Sequence, residues 1–143
     1  MTTPATAALA AATGLPEYTE TLPCEKASAR KARILIDQAL SAWDLAELIE
    51  DGQVIVSELV ANSVEHTGCR LLRVTISRLA QGRVRVAVVD KSTRQPTPRT
   101  AAVDDEDGRG LAIVAALAEK TGTDTFGWGK RAWAELAMAD AGQ

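Results

Sequence analysis

The stretch Val56-Ser57-Glu58-Leu59-Val60-Ala61-Asn62-Ser63-Val64-Glu65-His66 decides how the rest of the chain is read. Val56, Val60, Ser63 and Val64 take one side of a helix, while Glu58 and Asn62, four residues apart, take the other, and Glu65 and His66 extend that polar stripe. The spacing predicts a helix from about Asp51, which can cap its start, to Thr67, with Gly68 suited to its end. Taken alone, a solvated face explains the polar stripe, although an Asn inside a helix costs some propensity.

Outward from this helix the periodicity alternates between the two regular structures. Upstream, Ala32, Leu35, Ile36, Ala39, Leu40 and Trp43 form one apolar stripe, predicting a helix over Cys24 to Trp43 with Lys26, Arg30, Lys31 and Arg33 mostly solvated. Before it, Leu15 to Leu22 reads as a short strand that Pro16 and Pro23 confine to an edge or an irregular piece. Residues 1–14, rich in Ala, Thr and Pro, read as a disordered tail. Downstream, Leu71–Leu79 and Arg83–Asp90 alternate around a Gln81-Gly82 turn and predict an antiparallel hairpin. The seventeen residues from Lys91 to Asp107 show neither period, as expected of a lid. A third helix is expected to open at Gly108-Arg109-Gly110, to bury Leu111, Val114, Ala115 and Ala118, and to end at Thr121-Gly122. A last hairpin follows, Thr123 to Phe126 and Arg131 to Met138, around Gly127-Trp128-Gly129. The order predicts an α+β two-layer sandwich: a mostly antiparallel sheet covered on one face by about three helices, in one domain from residue 15 to 143.

Composition narrows the function classes. Apolar residues make up 46% of the 143 but aromatics only 3%, so the core must be built from Ala, Val, Leu and Ile. Nineteen acidic against 16 basic residues argue against a duplex-DNA footprint. No apolar run approaches the roughly 18 residues needed to span a bilayer, and the Ala7–Ala12 stretch is too short for a signal-peptide core, so a soluble, cytoplasmic protein is expected. Cys24 and Cys69 lack metal-ligand spacing and read as reduced thiols, with a structural disulfide as the alternative. His66 is the sole histidine, so a Cys/His metal cluster is not expected.

Two further positions carry chemistry. Asp90 ends a strand of valines, where a carboxylate can accept a hydrogen bond from an exocyclic amine such as adenine N6; taken alone, a strand-terminating turn residue explains it better. Gly108-Arg109-Gly110-Leu111 enters a helix, where unpaired N–H groups and a partial positive charge suit a phosphate and glycines allow close approach. There is no G-x-x-x-x-G-K-[ST], which excludes a P-loop, and no G-x-G-x-x-G after a strand, which disfavours a dinucleotide fold.

Together, Glu58 through His66, Asp90-Lys91-Ser92 with Pro96, and Gly108-Arg109-Gly110-Leu111 resemble the histidine-kinase-like (Bergerat, or GHKL) ATPase domains. The likeness, over roughly residues 15 to 139, is to the anti-sigma factor serine/threonine kinases of the SpoIIAB and RsbW type, and among them to short actinobacterial regulators. The resemblance implies Mg-ATP: Asn62 would give its amide oxygen to Mg²⁺, Asp90 would read adenine N6, and Ser92, Gly108, Arg109, Gly110, Leu111 and His66 would complete the nucleotide site. Glu58 would be the catalytic base. It further implies phosphorylation of a STAS-domain anti-anti-sigma factor, a competing sigma factor and possible homodimerisation, with an inactive partner-switching module as the alternative, and no direct contact with nucleic acid or membrane. The family's Asn-Ala pair is Asn62-Ser63 here, and Arg131 follows Gly129-Lys130 where the family often has Thr.

Overall fold

Alternating strands and amphipathic helices assemble into a six-stranded sheet with helices on one face. The computed structural model describes residues 6–10, 15–66, 68–91 and 106–139. Its strands are β1 (Thr6–Ala10), β2 (Pro16–Pro23), β3 (Leu71–Ala80), β4 (Arg83–Asp90), β5 (Lys120–Phe126) and β6 (Gly129–Ala137). Every pairing is antiparallel, in the spatial order β1-β2-β3-β4-β6-β5. The helices are α1 (Ser28–Ala42), α2 (Ile49–His66), preceded by a 3-10 turn at Ala46–Leu48, and α3 (Glu106–Leu117). This is the α+β sandwich the periodicity predicts.

The core lies between the helical layer and one face of the sheet. Leu35, Ile36 and Leu40 of α1, and Ile55, Val56 and Val60 of α2, are fully buried against Val74, Ile76, Val84, Val86 and Val88. Each such side chain contributes roughly 1.5–3 kcal/mol. A Cβ on Gly52 would sit 3.1 Å from Ile36 Cγ2, so the two long helices pack at close range. Gly68, at φ 61°, follows α2 in the left-handed conformation that ends helices. Trp43 packs against the core and meets Tyr18 edge-on at 5.4 Å between ring centroids.

Several expectations change. The Ala/Thr-rich segment read as a tail carries β1, and its pairing makes β2 an interior strand. The prolines confine β2 only by marking its two ends, where few ladder bonds are lost. Cys24 and Cys69 are not free thiols but form a disulfide, with 5.8 Å between their Cα atoms. The fold brings the start of α1 beside the loop after α2, and a separation of 45 residues hid that proximity. The third helix starts two residues early and stops at Leu117, so Thr121 and Gly122 belong to β5. Of its expected buried face, Val114 is buried and Ala118 half-buried, whereas Leu111 (48%) and Ala115 are exposed. Most of the expected lid lies outside the described residues, and Glu106 and Asp107 form the start of α3.

Candidate functional site

Alternation along β4 puts Val84, Val86, Val88 and Asp90 on the face beneath the helices. The strand therefore delivers a carboxylate into the apolar layer, fully buried at its C-terminal end. Ser63 of α2, itself buried, donates to Asp90 Oδ2 at 3.2 Å. Asp90 Oδ1 is buried with no hydrogen-bond partner among the described residues. Burial pushes the Asp90 carboxyl above its ordinary value, while the Lys130 charge, the Ser63 hydrogen bond and a backbone bond at Lys130 pull it back. Lys130 stands directly opposite Asp90 on β6, and the apolar Leu72 opposite it on β3.

The close fit around Asp90 needs a glycine. A Cβ on Gly129 would collide with the Asp90 carbonyl oxygen, so only glycine lets the last hairpin close onto the end of β4. A second close fit joins the helices, since a Cβ on Gly110 of α3 would come within 2.7 Å of Glu58 Oε1 on α2. Helix α2 thus meets α3 through Glu58 on its polar side and β4 through Ser63 on its buried side, with half-buried Asn62 between them in the sequence.

Of the residues singled out in the sequence, Glu58 meets Gly110 between α2 and α3, Asp90 meets α2 through Ser63, and Asn62 lies half-buried on α2 between those two contacts in the sequence. Gly108 and Arg109 lie in the first turn of α3 rather than before it, Leu111 is exposed on the same helix, and His66 closes α2. Ser92 lies outside the described residues. Arg131, which follows Gly129-Lys130 where the sequence resemblance would often put a threonine, is bound to Asp124 on β5 at 2.6 and 3.0 Å. It alternates with Lys130, so it sits on the face of the sheet away from Asp90 and does not crowd it. The sequence reading missed Ser63 as a partner of Asp90; the available signal was a hydroxyl on an otherwise apolar helix stripe.

The histidine kinase-like ATPase domain model matches residues 22–131. The chain belongs to this family. No curated protein sequence matches it. Among solved structures, full-length ShkA in complex with AMPPNP is similar to this ATPase domain at a TM-score of 0.50 and 22% identity. The match covers 84% of this chain and 32% of ShkA, so the chain spans about a third of that protein's length and the likeness is one of fold. Within the ATPase domain, no described helix is long and apolar enough to cross a membrane.

Proposed function

We propose that this ATPase domain binds Mg-ATP at the junction of α2, β4 and α3 and acts as an anti-sigma factor serine/threonine kinase. The observation that carries the nucleotide reading is Asp90 Oδ1, a buried acceptor without a partner among the described residues. Leaving such a group unpaired costs roughly 1–3 kcal/mol, and an exocyclic adenine amine supplies the missing donor. Asn62 would hold Mg²⁺, which usually takes only one or two protein oxygens beside phosphate oxygens and water. Bound there, the ion would offset charge on the transferring phosphoryl group. The Gly108–Gly110 turn would lie along the phosphates, close to Glu58.

In the kinase reading, Glu58 takes the proton of a partner's serine or threonine hydroxyl. The hydroxyl oxygen bonds to the γ-phosphorus as the bond to the β–γ bridging oxygen breaks, leaving phosphoprotein and ADP. Resemblance to the anti-sigma branch supports a STAS-domain partner, a competing sigma factor and a homodimer. Two measurements test this. Mg-ATP at 100 times its dissociation constant should stabilise the fold by about 2.7 kcal/mol in thermal melts. With γ-labelled ATP and a STAS-domain substrate, Glu58→Ala should abolish label transfer while ATP affinity stays within a few-fold. A Glu58→Ala protein that still transfers label removes Glu58 as the base; an intact chain that binds ATP but transfers none leaves a nucleotide-holding partner switch.

A further inference from the structure

We propose that Ser63 is a positioning residue for base selection: its hydroxyl fixes the Asp90 carboxylate so that Oδ1 faces the base and accepts from an exocyclic amine. The inference rests on the nucleotide reading of the site and adds a determinant of which nucleotide enters it. Ser63 is 1% exposed, among Val56, Leu59 and Val60 on the buried side of α2. A buried hydroxyl in such surroundings is costly unless bonded, and this one donates to Asp90 Oδ2 across 27 residues of sequence. The terminal torsion of an aspartate is broad and two-fold, so burial alone does not say which oxygen points where. The Ser63 bond does: it occupies Oδ2 and leaves Oδ1 as the open acceptor.

An acceptor held in one direction discriminates by donor pattern. A purine carrying an amine at its 6-position pairs with Oδ1, a purine carrying a carbonyl there sets acceptor against acceptor, and a purine with only hydrogen there gains nothing. Without the Ser63 hydroxyl the carboxylate is held only by the backbone bond at Lys130, so its direction is less tightly fixed and its charged form loses a stabilising bond. The groups facing Asp90 from its neighbouring elements are Ser63 from α2, Lys130 from β6 and apolar Leu72 from β3, and the Lys130 charge is untouched by a change at Ser63.

The test is calorimetric titration of the full chain, wild type, Ser63→Ala and Ser63→Thr, with the Mg complexes of ATP and of purine riboside triphosphate, which lacks the 6-amine, from pH 5 to 8. Ser63→Ala should weaken ATP about tenfold, in line with one charge-assisted hydrogen bond. It should leave purine riboside triphosphate within twofold and move the acid limb of ATP binding to higher pH, and Ser63→Thr should restore ATP affinity. Equal weakening of both nucleotides, or ATP binding unchanged in affinity and acid limb, overturns the role of Ser63 while leaving the site in place. Failure of the wild-type chain to bind either nucleotide overturns the site itself, and the role of Ser63 with it.

Discussion

At the scale of single residues, Asp90 is a liability that the fold carries. Its carboxyl is pushed above the ordinary carboxylate value by burial. Folding therefore favours its neutral form: the stability it contributes is fully present below about 3.9, the unfolded value, and is lost as pH rises through the higher folded value. Asp90→Asn keeps an acceptor for Ser63 and removes the buried charge. We expect the variant to melt a few degrees higher than wild type at pH 7, to lose that advantage in acid, and to bind ATP at least tenfold more weakly. Melting curves from pH 4 to 7 check the first two expectations, and a variant less stable at pH 7 would contradict them. The position of Asp90 was legible because a run of alternating valines ending in an acid points that acid inward. The Ser63 bond was not, because period and spacing place a side chain on a face without saying which strand lies under it.

At the scale of elements, the last hairpin shows what a glycine can mean. Gly122 reads as a helix stop, but it sits in β5 opposite Trp133, and a Cβ there would enter the indole ring. The bare backbone makes room for Trp133, over which Arg85 lies at 4.8 Å while also bridging to Glu135 at 2.6 Å. Gly122→Ala should destabilise the protein by about 1–3 kcal/mol, because a close-packed ring must move. Gly127→Ala, whose Cβ would meet nothing within 4 Å, should change stability by less than about 0.5 kcal/mol. Urea unfolding of the two variants separates these outcomes, and equal midpoints would refute the packing role. Helix and strand types were legible from period alone for α1, α2, β3 and β4. The boundary between α3 and β5 was not, since a glycine that ends a helix and one that admits a neighbouring ring look the same in sequence.

At the scale of the whole molecule, the disulfide joins the β2–α1 junction to the loop between α2 and β3 and so encloses both long helices. Closing a loop of 45 residues in the unfolded chain is worth about 4 kcal/mol by chain entropy. Reduction, or Cys24→Ser with Cys69→Ser, should lower the melting temperature by roughly 10 °C. An unchanged melt under reductant would show that the bond constrains nothing. The layered architecture was legible from the order of helices and strands. The cross-link was not, because it depends on where α2 delivers the chain after its last turn. The hairpin tip has a practical consequence of the same reach. Trp128, half-exposed and stacked on Phe126 at 4.8 Å, is bonded to the glycine that abuts Asp90. The other two indoles, Trp43 and Trp133, are partly screened by Tyr18 and Arg85. An unlabelled sample therefore carries its own optical gauge: if the proposed nucleotide moves the hairpin tip as it settles beside Asp90, the emission of Trp128 should change, and a fluorimeter can follow that in real time.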